Sequence, residues 1–290
     1  MKLFAFGLGY CARFFLARSG DAFDAVAGTV RETAKAEELA GKNIETFVFA
    51  AGQEDTAIEE RLAAADIILV SVPPGTSADP VLARFGHRIA SLPRQQTIVY
   101  LSSVGVYGDR RGEWVDETMT PLPASERSFA RLQAERSWAA IGAKNRKKIF
   151  ILRLAGIYGP GRNALQSLKA GTARRIIKRG HVSNRIHVED ISRAIDAAIA
   201  HKGEAGIFNV SDDAPAPPQD VIMYAAMLMG RDPPPEQDLE TADLTPLARS
   251  FYAENKRVSN RKLKDEFGIR LTFPTYRVGL EALWEAAEGR

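Results

Sequence analysis

The segment SERSFARLQAERS, residues 125–137, carries two arginines four residues apart, Arg127 and Arg131, with Glu135 four residues further on. A guanidinium stays protonated at any working pH and therefore cannot act as a general acid or base. The segment contains no Tyr, Lys or His, so catalysis, a lost catalytic role and simple packing all remain open for it.

A second group of reactive side chains lies in LSSVGVYGD, residues 101–109. The apolar run TIVYLSS, residues 97–103, predicts a strand that ends with Ser102 and Ser103, and Tyr107 follows shortly afterwards. In open α/β sheets ligands bind at the carboxyl edge of the strands, which makes Ser103 and Tyr107 candidate catalytic residues. The alternatives are that Ser103 caps local backbone and that Tyr107 only packs beside the loop.

The stretch FAFGLGYCARFF places Gly7, Gly9 and Ala12 in a Gly-x-Gly-x-x-Ala pattern between a strand and a helix. The first glycine would allow a tight turn, the second would let a pyrophosphate approach the backbone, and Ala12 would permit close packing of helix on sheet. The phosphates would then lie on the free N–H groups of the helix N-terminus. A tight turn that binds nothing is the alternative. Cys11, in the same turn, is either a reactive thiol or a small buried residue.

Cofactor choice in such folds depends on the end of the second strand, where an NAD site carries Asp or Glu for the ribose 2′-hydroxyl. This chain has Gly28-Thr29-Val30-Arg31 there. A guanidinium suits a 2′-phosphate, so NADP is predicted, with NAD as the alternative cofactor and a solvated Arg31 as the alternative role. The candidate cofactor-binding residues are Gly7, Leu8, Gly9, Tyr10, Cys11, Ala12, Thr29, Arg31, Ser71, Val72, Pro73, Leu101, Ser102 and Arg131.

The bulk properties of the 290 residues are those of an ordinary globular protein, with 45% hydrophobic and 26% charged residues. A net charge of +3, spread along the chain, favours neither nucleic acid nor membrane as a partner. The single cysteine fits a reducing compartment, and no apolar run is long enough to cross a bilayer, so a cytoplasmic protein is expected. No metal site is predicted. The expected partners are a small-molecule substrate and, as an open alternative, a second copy of the chain.

Short apolar runs alternate with helical patterns through the first half of the chain, which predicts an α/β fold with a doubly wound parallel (Rossmann-type) sheet. After residue 211 the prolines cluster and the alternation stops, which predicts a smaller C-terminal substrate lobe with helices near 219–229, 259–267 and 275–288. The expected domains are 1–156 with 186–210 returning to it, and 157–185 with 211–290. The predicted strands are residues 3–6, 23–30, 44–49, 66–72, 97–103, 149–154 and 206–210.

Together these motifs resemble the extended short-chain dehydrogenase/reductase superfamily, in its NAD-dependent epimerase/dehydratase group. The resemblance continues through LRLAGIYGPGR (152–162), RIHVEDISRAI (185–195), GIFNVSDD (206–213), KRVSNRKLKDEFG (256–268) and YRVGLEAL (276–283). It implies an oxidoreductase or epimerase that acts on a small or sugar-nucleotide-like substrate. It also implies that Ser103 polarises the reacting oxygen.

The chain departs from this family at the residues that move protons. The family helix carries Tyr-x-x-x-Lys with a glutamate four residues later, and Glu135 fixes a register that puts Arg127 in place of the tyrosine and Arg131 in place of the lysine. A slip of one residue would put Ser128 there instead, and an unassisted serine is also a poor acid. VSVPPG, residues 70–75, replaces the family's usual small-residue strand ending. The resemblance therefore points to an atypical branch, either a weakly active enzyme or a non-catalytic NADP-binding sensor.

Several residues could replace the missing acid/base or hold the substrate. Tyr107 and His187 are the candidates for proton transfer, although a structural role for His187 is the stronger alternative. Asp190 is expected to cap the following helix. Arg162 and Arg185 are expected on the substrate side, where they would bind an anionic group such as a phosphate, with solvated arginines as the alternative.

Overall fold

The computed structural model describes residues 1–39, 43–50, 56–76, 78–93, 96–145 and 147–286. The chain forms two compact units, called unit 1 (Met1–Ser103, Ser125–Arg153 and Ile191–Phe208) and unit 2 (Val104–Ala124, Leu154–Asp190 and Asn209–Arg290). The domain limits expected from the sequence stay a prediction. They concern independent folding, which the division into compact units does not measure.

The strands within the described residues are β1 (Lys2–Phe6), β2 (Ala25–Val30), β3 (Glu45–Val48), β4 (Ile67–Val70), β5 (Thr97–Ser103), β6 (Trp114–Val115), β7 (Lys148–Leu154), β8 (Gly156–Tyr158), β9 (Arg175–Ile177), β10 (Arg185–His187), β11 (Ile207–Val210), β12 (Glu236–Asp238) and β13 (Arg257–Val258). The helices are α1 (Tyr10–Ser19), α2 (Thr33–Leu39), α3 (Thr56–Ala64), α4 (Pro80–Ser91), α5 (Glu126–Asn145), α6 (Ala164–Lys169), α7 (Val188–Ala200), α8 (Pro218–Leu228), α9 (Pro246–Ser250), α10 (Arg261–Phe267) and α11 (Tyr276–Glu285).

The main sheet has seven strands in the order β11-β7-β5-β4-β1-β2-β3. β1 pairs in parallel with both β2 and β4, so that Phe4 lies opposite Ala27 on one side and Ile68 on the other. From β1 the chain adds β2 and β3 on one side of the sheet. It then returns to the other side of β1, where it adds β4, β5, β7 and β11. The fold is therefore the doubly wound α/β fold predicted from the sequence, and the loops after β1 and β4 meet at its switch point, where such sheets bind ligands.

Buried apolar strands and amphipathic helices stabilise unit 1. All four residues of β4 are buried, as expected for a strand covered on both faces. Helix α4 buries Val81, Phe85 and Ile89, spaced by four, against the sheet core. In α5 the fully buried Trp138 joins the same core. Each such side chain contributes about 1.5–3 kcal/mol when it leaves water.

Unit 2 is built from short strand pairs and helices. β8 pairs with β10, β9 with β12, and β6 with β13, each pair in parallel. Its apolar core joins Tyr158 and Leu165 to residues of α8 and α11. In α11, Gly279 lies so close to Tyr158 that an added side-chain carbon would overlap the phenol oxygen.

The three helices predicted for the C-terminal lobe are present as α8, α10 and α11, each within a few residues of the predicted limits. Residues 287 and 288, at the end of the last predicted helix, lie outside the described residues. Among the helices that the structure describes, none is long and apolar enough to cross a membrane.

Candidate functional site

The glycine loop after β1 is shaped by contacts that only small residues allow. Gly7 has φ = 86°, and a side-chain carbon there would lie 2.9 Å from Val72 Cγ2 and 3.0 Å from Ser71 Oγ. At Gly9, by contrast, an added carbon would meet no described atom within 4 Å. Gly7 thus serves the turn, and the space beside Gly9 is open.

Thr29 of β2 and Ser71, which follows β4, hold this loop. The N–H of Gly7 donates to Thr29 Oγ1 at 3.0 Å, and the N–H of Leu8 donates to the carbonyl of Thr29 at 2.8 Å. Ser71 donates its hydroxyl to the carbonyl of Gly7. Two predicted cofactor-binding residues, Thr29 and Ser71, therefore position the loop. The half-buried Val72 packs beside it, whereas Pro73 is exposed.

The start of α1 favours a bound anion. Gly9 is the N-cap, and the N–H of Arg13 donates to the carbonyl of Gly9, so the N–H groups of the first turn lie at the N-terminal end of the helix. The first turn of α1 contains no acidic residue that would offset the positive end of the helix dipole. Leu8, Cys11 and Ala12 are buried under the loop, and Tyr10 is half-buried. These features fit a dinucleotide pyrophosphate.

Arg31 follows the last residue of β2 and is exposed. The backbone before it is tightly packed, because a side-chain carbon at Gly28 would lie 2.8 Å from the carbonyl oxygen of Ala5. Arg31 thus follows the strand whose Thr29 holds the glycine loop.

The two arginines of α5 have different surroundings. Arg127 is exposed, whereas Arg131 is half-buried and folds back on β5. Arg131 Nη1 donates to the hydroxyl of Tyr100 at 3.0 Å and to the carbonyl of Leu101 at 3.1 Å. Ser128, the residue that a register slip would use, is buried, and its hydroxyl accepts that of Ser125 at 3.0 Å. Arg131 is thus held against the carboxyl half of β5.

Arg131 has a second electrostatic neighbour, Asp79, which caps α4 through the N–H groups of Val81 and Leu82 and accepts the indole N–H of Trp138 at 3.3 Å. Burial raises the pKa of Asp79, and these hydrogen bonds together with the charge of Arg131 oppose that rise. Burial also raises the pKa of Tyr100 well above its usual range, so Tyr100 is a neutral phenol.

Ser102 and Glu135 belong to a buried network rather than to an open surface. Arg153 donates from Nη2 to Glu135 Oε2 at 2.7 Å, and both side chains are almost completely buried. Ser102 donates its hydroxyl to the other carboxylate oxygen of Glu135. This network anchors α5 to β5 and β7, and so it fixes the register in which Arg131 meets the end of β5.

Ser103 is half-buried at the end of β5, in unit 1. Tyr107 ends a short 3₁₀ turn in unit 2, where it is fully buried and donates its hydroxyl to Asn209 Oδ1 at 2.8 Å. A phenol held in this way supports the packing alternative for Tyr107 more than proton transfer.

The substrate-side candidates lie in unit 2. His187 is buried between Phe273 and Tyr158, with ring centroids 4.0 and 5.1 Å away, and its Nδ1 accepts the N–H of Glu189 at 3.2 Å. Burial lowers the pKa of His187 to about 4. A neutral, enclosed imidazole of this kind supports a structural role.

Asp190, which the sequence was expected to use as the cap of α7, lies inside the first turn of that helix. Its carboxylate receives the N–H groups of Thr272 at 2.7 Å and Phe273 at 2.9 Å. This is a correction, and its cause is tertiary: a segment some eighty residues later in the chain uses the carboxylate.

Arg162 and Arg185, the predicted anion-binding residues, differ in burial. Arg162 is exposed in the turn Gly159–Arg162, whose ends exchange backbone hydrogen bonds. Arg185 is half-buried; its Nη1 donates to the carbonyls of Ser183 at 3.0 Å and Ala216 at 3.1 Å, and its guanidinium lies 5.9 Å from the centre of the Tyr276 ring.

Sequence reasoning missed Tyr100, Asp79 and Arg153, which hold Arg131 and Glu135. Asp79 had a visible signal, since an acidic residue before Pro80 is a typical helix N-cap. Tyr100 and Arg153 had none, because both lie in apolar strand patterns. Within the described parts of the chain, no three His, Cys, Asp or Glu side chains gather into a metal-binding group.

Comparison with known families and curated proteins gives matches to part of the chain. The sequence profile of the NAD dependent epimerase/dehydratase family matches residues 87–211. Protein YeeZ of Escherichia coli K12 is 35% identical over 150 residues. That alignment covers 51% of this chain and 49% of YeeZ, so the chain matches about half the length of its curated relative.

Solved structures match nearly the whole chain. A functionally unknown conserved protein from Silicibacter pomeroyi is 44% identical with a TM-score of 0.89, and 99% of each chain is covered. A protein from Methylobacillus flagellatus, provisionally named an NAD-dependent epimerase/dehydratase, is 25% identical with a TM-score of 0.74 over 99% of this chain and 98% of its own.

Proposed function

We propose that the chain, whose residues 87–211 match the NAD dependent epimerase/dehydratase family, is a member of that family, binds NADP on the glycine loop of unit 1 and acts as an atypical oxidoreductase or epimerase on a small or sugar-nucleotide-like substrate. The open space beside Gly9, at the start of a helix without acidic residues in its first turn, is the observation that carries the cofactor part of this proposal.

Each part of the dinucleotide has a matching group in unit 1. The pyrophosphate would accept the backbone N–H groups at the start of α1, and Arg31 would pair with the 2′-phosphate. Both hydrogen bonds that Arg131 donates within the described residues leave from Nη1, so Nε and Nη2 could reach the nicotinamide ribose. When bound, the nicotinamide supplies the hydride chemistry, and the protein supplies binding and orientation.

Cofactor preference tests this proposal. Wild-type protein and Arg31→Ala are titrated with NADPH and NADH in a calorimeter. The substitution should weaken NADPH binding by about 1.5–3 kcal/mol, the value of a charge-assisted hydrogen bond, and should barely change NADH binding. Arg18→Ala, another exposed arginine of unit 1, is the matched control. Equal losses for the two cofactors would rule out the role at the 2′-phosphate.

In the proposed reaction, proton transfer is the step that lacks a suitable residue among Ser103, Arg127 and Arg131. Ser103 could polarise a substrate oxygen, but neither Arg127 nor Arg131 can give or take a proton at neutral pH. General acid/base catalysis is worth about 10²–10⁴ in rate, so slow turnover is expected. This observation also favours a second candidate function, a non-catalytic sensor in which bound NADP changes a contact with a partner.

Turnover separates the two candidates. Wild-type protein is assayed with NADPH or NADP over a panel of carbonyl compounds and sugar nucleotides, and very slow turnover or none is expected. Arg127→Tyr combined with Arg131→Lys should leave cofactor binding nearly unchanged and could raise weak activity. A wild-type rate of about 1–10³ per second would exclude the sensor and show that another residue transfers the proton.

A further inference from the structure

Unit 1 contains a cavity of about 480 Å³ between α1, α2 and the start of β2, here called the α1–α2 cavity. Ala25 and Val26, the first two residues of β2, line it, whereas Thr29, which holds the glycine loop, comes near the end of that strand. Strands rise about 3.3 Å per residue, so about 10 Å of β2 separates the cavity from the glycine loop. The volume lies in the range of small-molecule sites, about 300–1,000 Å³.

Much of the cavity lining is apolar. Leu16 of α1 is 7% exposed and Leu39, the last residue of α2, is 1% exposed, so the packing of unit 1 holds both in place. Half-buried apolar side chains continue this surface: Phe23, Val26 and Ile44. Because apolar surface gains free energy when a ligand shields it from water, the cavity favours a ligand with an apolar body.

Arg13 brings a positive charge to the same cavity. Its Nε has no hydrogen-bond partner within the described residues, and its Nη1 lies 3.7 Å from Glu38 Oε1, too far for a hydrogen bond. Glu38 is itself paired with Lys35. The Arg13 side chain is 39% exposed, so a ligand can reach it. A guanidinium has a planar fork of donors that fits a carboxylate, and this one is available to an anion in the cavity.

The acidic residues of the lining, Asp21 and Asp24, lie toward the other end of α1. Asp21 follows Arg13 by eight residues, about 12 Å at the rise of a helix. Asp24 already accepts the amino group of Met1 at 2.5 Å. Within the described lining Arg13 alone is cationic, so the cavity matches one negative charge. A phosphate dianion would bring two negative charges to one guanidinium.

We propose that the α1–α2 cavity binds a small organic acid with an apolar body, an alkyl or aryl carboxylate. The Nη groups of Arg13 pair with the carboxylate, and the body covers Leu16, Val26 and Leu39. This site goes beyond the proposed function, because it lies at the amino end of β2 and uses none of the residues assigned to the cofactor or to catalysis.

The test uses the full chain and three molecules that share one apolar body. 4-Phenylbutyrate, 4-phenylbutanol and 4-phenylbutylamine are titrated in a calorimeter, together with acetate, which has the carboxylate without the body. We expect 4-phenylbutyrate to bind about tenfold more tightly than each of the others, or better, since only it combines both features. Equal binding of the alcohol would show that Arg13 recognises nothing. Tighter binding of the amine would assign the charge recognition to the two aspartates. Either result would overturn the inference.

Substitutions then assign the binding to the cavity. Arg13→Gln should weaken binding of 4-phenylbutyrate about tenfold or more, the effect of losing a charge-assisted contact. Arg18→Gln is the matched control, because Arg18 lies on the same helix but pairs with Asp196. Ala17→Phe should block binding by filling the cavity from an exposed lining position, where a large side chain needs no repacking of the core. Ala140→Phe, at an exposed position of α5, should not change it.

The titration is repeated with NADPH present to separate the two sites of unit 1. The affinity for 4-phenylbutyrate should stay the same, whereas displacement by NADPH would place the acid on the glycine loop and overturn the inference. Absence of binding at millimolar concentration would overturn it too, as would wild-type affinity in Arg13→Gln or in Ala17→Phe. Acid binding by a protein that does not bind NADPH would refute only the cofactor part of the proposed function.

Discussion

A side-chain carbon added at Gly9 would meet no described atom within 4 Å, whereas one added at Gly28 would lie 2.8 Å from the carbonyl oxygen of Ala5 and 2.9 Å from Leu8 Cδ2. Both positions lie close to the same loop, but each has a different reason for holding a glycine. Gly28 is required by the packing of the protein itself. At Gly9 nothing in the described chain requires a glycine, which is consistent with a requirement set by a ligand.

This contrast gives a prediction at the residue scale. Gly9→Val should abolish dinucleotide binding, because a branched side chain would fill the space for the pyrophosphate, and should leave the thermal midpoint close to that of the wild type. Gly28→Ala should lower the thermal midpoint through overpacking, at a cost of about 1–3 kcal/mol. Calorimetric titration and thermal unfolding measure both effects. If Gly9→Val binds NADPH normally, the cofactor does not lie on this loop.

The glycine loop was predictable because its requirements are local. They are visible in the sequence as the spacing of Gly7 and Gly9 after an apolar run. The partners of Arg131 were not, because Tyr100 and Leu101 lie 31 and 30 residues away and meet it only when α5 packs on β5. The correction at Asp190 has the same origin, since Thr272 and Phe273 reach it from 82 and 83 residues away.

At the scale of elements, α5 is fixed by a charge pair within an apolar layer. Glu135 and Arg153 are 3% and 2% exposed in their side chains, and Ser102 satisfies another lone pair of the carboxylate. Removing two charges from water is costly, so such a pair contributes little net stability but becomes very costly to break on one side. The pair thus sets where α5 lies along β5, and Arg131, one turn earlier, follows.

Breaking one side of the pair should therefore destabilise unit 1. Glu135→Gln leaves a buried guanidinium without its counter-charge and should lower the free energy of unfolding by about 3–5 kcal/mol. Urea denaturation measures the change. The matched control is Glu45→Gln, which breaks an exposed pair with Arg61 and should have no measurable effect. A small loss in Glu135→Gln would mean that water reaches the site.

The sequence predicted the α/β alternation, the doubly wound sheet and three helices of the C-terminal lobe, α8, α10 and α11, because buried parallel strands are continuous apolar runs and the helices are periodic. It did not predict the short strand pairs of unit 2. Those strands have two or three residues each, too few to show any periodicity. Arg153 was likewise hidden, as a charged residue inside an apolar strand pattern.

At the scale of the whole molecule, buried titratable groups link stability to pH with opposite signs. His181 and His187 have folded pKa values of about 4, below the model-compound value of 6.5. Between these values the unfolded chain binds protons that the folded chain excludes, so these histidines lower stability as pH falls through that window. Asp212, with its pKa raised to about 7 from 3.8, lowers stability as pH rises through its own window.

Removing one histidine should therefore change the slope of stability against pH. His187→Gln should reduce the loss between pH 6.5 and 4.5 by up to about 1.4 kcal/mol per pH unit, the value of one proton per unit. Urea unfolding at several pH values gives the slope, independently of any constant loss that the substitution causes. His87→Gln, at an exposed position on α4, is the control. Equal slopes in wild type and His187→Gln would show that His187 titrates alike in both states.

The contact between Tyr158 and Gly279 has a consequence for how such chains diverge. The two positions are 121 residues apart, yet the phenol occupies the space that any side chain at 279 would need. An enlargement at position 279 is therefore tolerated only after the side chain at position 158 has been shortened, so the order of the two changes matters. Among related chains the pair should be inherited together, so the two positions should co-vary as an evolutionary unit even where neither touches a ligand.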